Sequence, residues 1–234
     1  MSTSKLFLVV GLFLTELCIS SLHAAAHAVL PDSVLDLRTT AGVEAIKAQW
    51  RYSDTAIMEI DHRDVGPDLK ASGRANRTFD FGPDARAADF DDSHWELIPA
   101  ESLEQRRGHG RLSFNWYRLN VTMPETAGAL KVTGAAVVFE IVVDDYAEVW
   151  VNGKLGYVLG QQGGTVAAGW NAPNRVVLTR NARPGQPFQI AVFGINGPIS
   201  THPDTYIWVR SATLDFFAPG RLTQAMPVKL DPTA

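Results

Sequence analysis

The sequence predicts an all-β fold, a β-sandwich with a few short helical turns. Three observations support this prediction. From Trp50 onward, apolar and polar residues alternate in short runs bounded by Gly, Pro, Asn and Asp, which is typical of antiparallel strands. The pair Asn152-Gly153 lies between two such runs and predicts a two-residue hairpin. Helical signals are few and short, so the strands must supply the core.

The clearest strand signal runs from Val138 to Asn152. Residues two apart in a strand share one face of the sheet. One apolar set is therefore expected to point to the core: Phe139, Ile141, Val143, Ala147, Val149 and Val151. The alternation is interrupted at Asp144-Asp145-Tyr146. Asn152-Gly153 then fits a type I′ turn, in which both residues need positive φ. Lys154–Leu159 is the predicted returning strand.

The same pattern predicts six further strands. They are Gln49–Tyr52, Ala56–Ile60, Ser113–Thr122, Arg175–Thr179, Phe188–Ile195 and Tyr206–Phe217. Thr40 is expected to cap a helix that runs to about Ala48, and Pro99 to open a turn that continues to Gln105. Two long segments remain. His62–Thr78 is charged and lacks aromatic residues, which predicts a mobile loop, whereas Gln161–Pro173 contains Trp170 and several amides, which predicts a structured loop.

The first 28 residues predict a secretory signal peptide. Lys5 precedes an apolar stretch, Leu6–Leu22, and small residues follow at Ala24–Ala28, the arrangement of a cleaved leader. Cys18 is the only cysteine and lies inside this segment. The mature protein is therefore expected in the periplasm or outside the cell, without a membrane segment and without disulfides. Residues 36–217 are expected to form one domain, and residues 218–234 a C-terminal tail.

The charge balance argues against nucleic acid as a partner. The chain has 21 Lys and Arg against 25 Asp and Glu, a net charge of −4. The bases are interspersed with the acids, whereas proteins that bind nucleic acids usually carry a basic face or stripe.

Three segments carry a resemblance to a known domain. They are Asp89–Trp95, Trp116–Arg118 and Val143–Lys154. Together they resemble the galactose-binding-like jelly roll, the sugar-binding domain of the β-galactosidase and β-glucuronidase group of glycoside hydrolases. The whole stretch from Gln49 to Phe217, including Phe193–Pro198, is most similar to the domain in front of gluconolactonase-type β-propellers in some bacterial proteins.

The resemblance implies a jelly-roll sandwich with an accessory role, because in those enzymes the catalytic residues lie outside this domain. No catalytic residue is therefore carried over. The sequence also lacks a G-x-S-x-G elbow, an H-E-x-x-H motif, a phosphate-binding Walker loop and a dinucleotide fingerprint, so no enzyme class is predicted from motifs.

The candidate ligand site lies in and beside the second long segment. Sugar sites combine an aromatic floor with a few oriented polar groups, and one stretch offers both: Gln161, Gln162, Trp170, Asn171 and Asn174. The competing interpretation is that Trp170 caps the end of the sandwich.

Calcium is an open alternative as a structural ion. Asp89, Asp91 and Asp92 offer oxygen ligands, which hard cations prefer. The competing interpretation, that Asp91-Asp92-Ser93 caps a helical turn ending at Trp95, is favoured, so no metal site is predicted.

These observations predict an exported, non-catalytic carbohydrate-binding module. The alternative is an accessory domain that pairs with a separately encoded propeller lactonase or glycoside hydrolase.

Overall fold

The computed structural model describes residues 29–108, 112–155, 171–197 and 206–222, and within them it confirms the predicted all-β sandwich. The strands are β1 (Ser33–Asp36), β2 (Trp50–Asp54), β3 (Ala56–Arg63), β4 (Ala75–Gly82), β5 (Glu96–Ile98), β6 (Ser113–Thr122), β7 (Thr126–Ala127), β8 (Leu130–Lys131), β9 (Ala136–Asp144), β10 (Tyr146–Val151), β11 (Lys154–Leu155), β12 (Asn174–Thr179), β13 (Pro187–Asn196) and β14 (Trp208–Phe217). One α-helix spans Thr40–Ala45, and a 3-10 helix spans Ala100–Glu104.

Two large antiparallel sheets make up the sandwich. The four-stranded sheet has the order β1-β14-β9-β12, and the six-stranded sheet has the order β11-β10-β13-β6-β2-β5. β3 and β4 form a separate two-stranded sheet, as do β7 and β8. Within the described part of the chain, no helix is long and apolar enough to cross a membrane.

The alternation in Val138–Asn152 predicted correctly which side chains face the core. Phe139, Ile141 and Val143 from β9 lie in the main core, and Ala147 and Val149 from β10 join them there. The main core therefore lies between the two large sheets, where the apolar face of each strand is removed from water.

The predicted type I′ hairpin is confirmed. Asn152 has a φ of 50° and Gly153 a φ of 75°, and the flanking residues pair as Trp150 with Leu155 and Val151 with Lys154. Two residues with positive φ match the right-handed twist of the strands that they join.

The loop predicted at His62–Thr78 is too long at both ends, and only residues 64–74 connect the two strands outside regular structure. β3 continues to Arg63, and β4 already begins at Ala75. Both strands are largely exposed on both faces, so neither needs the apolar alternation that identifies a half-buried strand.

The predicted cap of the helix is displaced by one residue. Thr39 rather than Thr40 is the N-cap, and its side chain accepts a hydrogen bond from Gly42 N.

A second apolar layer covers the outer face of the six-stranded sheet. Trp116 and Phe193 face outward from β6 and β13 and pack against Trp95 and Phe90, which precede β5. The Trp116 indole donates to the Pro83 carbonyl oxygen at 2.8 Å. Trp95 and Trp150 also belong to this outer layer, where Trp95 is buried and Trp150 is half-buried.

One ion-pair network fixes the outer layer to the sheet. Arg118 on β6 is 2% exposed, and its Nε lies 2.7 Å from Oδ2 of Asp92. The guanidinium also donates to the carbonyl oxygens of Ala85 and Ala87. Arg51 on β2 lies 3.4 Å from the other carboxylate oxygen of Asp92. A single carboxylate therefore pairs with two guanidinium groups from neighbouring strands.

Candidate functional site at the polar end of the sandwich

The inner faces of the strands change from apolar to polar at one end of the sandwich. This end, called the polar end, lies where β6 begins, β13 ends and β9 passes into β10. Along β6, Leu119 and Tyr117 on the inner face are followed by Asn115. The buried polar residues of this end are Ser113, Asn115, Asp145, Asn174 and Asn196. Groups of this kind are costly to bury without partners, so this end is the first place to look for a ligand.

Several buried polar atoms at this end have no hydrogen-bond partner among the described residues. Two of them lie on β6: Oδ1 of Asn115 and the hydroxyl oxygen of Tyr117. Asn115 Nδ2 donates to the Tyr52 hydroxyl at 3.4 Å, and that hydroxyl donates to Asp54 Oδ1 at 2.5 Å. Tyr52 is thus hydrogen-bonded to Asp54, whereas the Tyr117 hydroxyl lies beside the Asn115 side chain, which opposes the effect of burial on the pKa of Tyr117.

Both tyrosines stay protonated. Burial raises the pKa of Tyr117 well above its ordinary value. Burial and the hydrogen bond to Asp54 do the same for the pKa of Tyr52. A neutral phenol can both donate and accept. Tyr117 is fully buried, so its hydroxyl is available only to a ligand that reaches the interior of this end.

The Asn115 amide fits only because residue 194 is glycine. Asn115 and Gly194 are directly opposite each other in the β6–β13 ladder. A Cβ on Gly194 would lie 2.5 Å from Asn115 Oδ1 and 2.9 Å from Cγ2 of Ile207, closer than van der Waals contact allows. The glycine therefore makes the space for a buried amide.

Arg107 closes the polar end beside the tyrosines. Its guanidinium lies 4.3 Å from the centre of the Tyr52 ring, and NH1 lies 3.0 Å from a carboxylate oxygen of Glu96. Its backbone exchanges two 2.8 Å hydrogen bonds with Ile207. The contact with an aromatic face is a cation–π interaction, so a fixed positive charge lies next to the unpartnered groups.

The rim of the polar end combines aromatic, charged and amide groups. Arg106 is exposed and lies 5.6 Å from the centre of the Trp208 ring. The Trp208 indole N–H donates to the carboxylate of Asp144. Asn171 N donates to the Asp145 carbonyl oxygen at 3.0 Å, and Asn171 Oδ1 has no partner among the described residues.

Two of the five residues predicted to bind a ligand lie at this end. Asn171 is on its rim, and Asn174 opens β12, where it is buried and faces the main core. The other three lie outside the described residues: Gln161, Gln162 and Trp170. Their role stays a prediction.

The sequence analysis missed the residues on β6 and β14. The signal was available on β6, because Ser113, Asn115 and Tyr117 continue the inward-facing series of Leu119 and Val121 with polar atoms. The rim residue Trp208 is harder to find, since β14 changes register between Val209 and Ser211 and simple alternation fails across a bulge.

The acidic cluster proposed as a calcium alternative is bonded internally. Asp91 Oδ1 accepts from Ser93 N at 3.0 Å. Hydrogen bonds from the side chain and the backbone of Ser93 lower the pKa of Asp91. Asp92 binds Arg51 and Arg118. In the described part of the chain, no group of three or more His, Cys, Asp or Glu side chains is placed to hold a metal ion. A structural calcium ion remains untested.

Two open grooves lie at the opposite end, where β6 ends and β13 begins. Their volumes are about 650 and 410 Å³. Their linings include Asn181 and Arg183 in the first and Met123 and Glu125 in the second. Among the described lining residues none is aromatic, so these grooves lack a flat apolar floor for a ring-shaped ligand.

No protein-family model matches the chain, and no curated protein matches it. Solved structures that match part of this chain include a glycosyl hydrolase family 2 member from Bacteroides cellulosilyticus DSM 14838, with 17% identity and a TM-score of 0.40 over 72% of this chain. A β-glucuronidase from glycoside hydrolase family 2 has 15% identity and a TM-score of 0.44 over 79%. Bacteroides uniformis β-glucuronidase has 18% identity and a TM-score of 0.40 over 78%. The chain spans 20%, 17% and 18% of these longer proteins.

Proposed function

We propose that this chain is an exported, non-catalytic module that binds a carbohydrate at the polar end of the sandwich. The observation that supports the proposal most is the pair of unpartnered buried groups, Asn115 Oδ1 and the Tyr117 hydroxyl. An unsatisfied buried polar group costs about 1–3 kcal/mol. A ligand that supplies hydroxyl groups would recover that energy.

The chemistry of the end suits a polyhydroxylated ligand. Each sugar hydroxyl both donates and accepts, and the polar end offers a phenol that can donate and two amide oxygens that accept, on Asn115 and Asn171. Trp208 on the rim supplies an aromatic ring that is only half-buried. Such a combination of an apolar surface with a few oriented polar groups is typical of ligand sites.

The carboxylates of this end are engaged in structure rather than paired for catalysis. The Asp144 carboxylate, at the end of β9, accepts from the Trp208 indole, and the Asp54 carboxylate accepts from the Tyr52 hydroxyl. Hydrolysis of a glycosidic bond by paired carboxylates needs two such groups on opposite sides of the bond. The proposed role is therefore binding.

The proposal is tested by probing a glycan array with the purified chain and measuring the dissociation constant of the strongest glycan by calorimetry. Trp170→Ala is expected to reduce the affinity for that glycan at least about tenfold, equivalent to 1.4 kcal/mol, and to leave the midpoint of unfolding unchanged. Such a result fits a residue that stacks on a sugar. Trp150→Ala is the matched control, because Trp150 lies in the outer layer, and it should leave the affinity unchanged.

Two results would count against this proposal. If the wild-type chain binds no glycan on the array, carbohydrate binding is wrong. If Trp170→Ala lowers the midpoint of unfolding strongly and leaves the affinity unaltered, Trp170 caps the sandwich instead of binding the ligand, since truncation of a buried Trp costs about 3–5 kcal/mol.

A further inference from the structure

We propose that two copies of this chain associate through β4, which pairs antiparallel with β4 of a second copy in a register centred on Phe79. The hairpin of β3, β4 and their connection, residues 56–82, is called the arm. The proposal concerns a surface separate from the polar end, so neither proposal depends on the other.

The arm exposes apolar side chains along both strands. Phe79 on β4 is 68% exposed, and Met58 and Ile57 on β3 are 45% and 44% exposed. The two strands pair only with each other among the described residues and with neither large sheet. A two-stranded hairpin alone is marginally stable in water, and further strands stabilise it. A partner strand at the free edge of β4 would cover part of the exposed Phe79 side chain.

Each strand of the arm also has an open edge. β3 pairs with β4 along its whole length, from Ala56 opposite Gly82 to Arg63 opposite Ala75. The other edge of each strand therefore presents backbone N–H and C=O groups without a strand partner among the described residues. Such an edge is a template for pairing with another chain.

Symmetry restricts how an edge can pair with its own copy. In a two-fold antiparallel pair, directly opposite residues share a face of the sheet, so the register must centre on one residue facing its own copy. On β3, the central registers put carboxylates together. Centring on Glu59 or Asp61 pairs each with itself, and centring on Ile60 pairs Glu59 with Asp61. Since like charges directly opposite are destabilising, β3 is disfavoured.

β4 carries charges that permit a symmetric register. Among registers centred on residues 77 to 80 of β4, only those centred on Arg77 or Asp80 would place two like charges directly opposite each other. Centring on Phe79 places the two most exposed rings of the arm opposite each other, and it pairs Thr78 with Asp80 of the second copy. Aromatic pairs across strands contribute beyond their buried area, and the Thr78 hydroxyl can donate to a carboxylate.

The neighbouring register, centred on Thr78, is the closest competitor. It would place each Phe79 opposite Arg77 of the second copy. Arg77 already pairs with Glu59 in its own arm, with NH1 and Oε1 3.2 Å apart. This register forms no aromatic pair, so the Phe79-centred register is preferred.

Cysteine cross-linking tests the register. In the full chain with Cys18→Ser, Phe79→Cys should give disulfide-linked dimers under mild oxidation, because opposite Cβ atoms lie about 4.5–5.5 Å apart, near the span of a disulfide. Thr78→Cys reports the competing register, and Met58→Cys places a thiol of similar exposure on the other strand. Both should cross-link at least about tenfold more slowly, because neither faces its own copy at disulfide distance in the Phe79-centred pair.

Sedimentation of the unmodified chain provides the second measurement. The wild type should sediment as a dimer, and Phe79→Asp as a monomer with an unchanged near-UV circular dichroism spectrum. A monomeric wild type at all concentrations would overturn the proposal. Cross-linking of Thr78→Cys or Met58→Cys as fast as Phe79→Cys would also overturn it, because the pairing would then differ from the one proposed.

Discussion

Asp92→Ala is expected to lower the free energy of unfolding by about 3–5 kcal/mol, the usual cost of removing one partner of a buried ion pair. The Asp92 side chain is 13% exposed and lies 2.7 Å from Nε of Arg118, which is 2% exposed. Removing the carboxylate leaves that guanidinium buried with carbonyl oxygens alone. Arg51 loses the same partner. Chemical denaturation followed by tryptophan fluorescence measures the loss.

Asp89→Ala is the matched control for this variant. Asp89 is exposed and lies three residues before Asp92 in the same segment, so its removal should change the free energy of unfolding by less than about 0.5 kcal/mol. An equal effect of the two variants would show that the Arg118–Asp92 pair does not hold the outer layer.

Gly194→Ala is expected to lower the free energy of unfolding by about 1–3 kcal/mol, the usual cost of overpacking a core. The new Cβ would lie 2.5 Å from Asn115 Oδ1. The amide must then rotate away from its present position. If that amide binds ligand, affinity for the array-selected glycan should fall at least about tenfold at the same time. Calorimetry and denaturation together measure both effects.

Gly197→Ala is the control three residues further along. Among the described residues, a Cβ there would meet only the end of the Leu112 side chain, at 3.3 Å, which can move aside. Both stability and affinity should stay close to wild type. Unchanged affinity in Gly194→Ala, despite the loss of stability, would remove Asn115 from the proposed site.

Local sequence patterns predicted the elements whose residues are half-buried. Ser113–Thr122 was predicted with the observed bounds, and the positive φ of Asn152 and Gly153 followed from a residue pair that favours it. In both cases the deciding interaction is local: alternation against one core, or the backbone preference of a turn. Such information is contained in consecutive residues.

The remaining features depend on residues distant in the sequence. Asp92 was interpreted as part of a cap or a calcium cluster, yet its partner Arg118 is on β6, across the outer layer. The first part of β3 was predicted as Ala56–Ile60, but β4 was missed, because both faces of the arm are exposed and hydrophobic alternation does not select a face. The polar end brings Asn115 and Asn171 together through the order of strands β6, β13 and β10. Alternation alone cannot predict that order.

The hydroxyl of Tyr117 provides the most direct test of the polar end as a binding site. Tyr117→Phe removes a buried hydroxyl that has no partner among the described residues. Without ligand, the free energy of unfolding should therefore stay the same or rise, by about 1–3 kcal/mol at most. The matched variant Tyr52→Phe removes a hydroxyl that donates to Asp54, which should lower stability by about 1.5–3 kcal/mol.

The deciding measurement is the affinity of Tyr117→Phe for the array-selected glycan, taken with its stability in the absence of ligand. The account predicts a fold that is at least as stable as wild type and an affinity reduced about tenfold. Wild-type affinity in this variant, or a loss of stability equal to that of Tyr52→Phe, would contradict the claim that the Tyr117 hydroxyl is kept for a ligand.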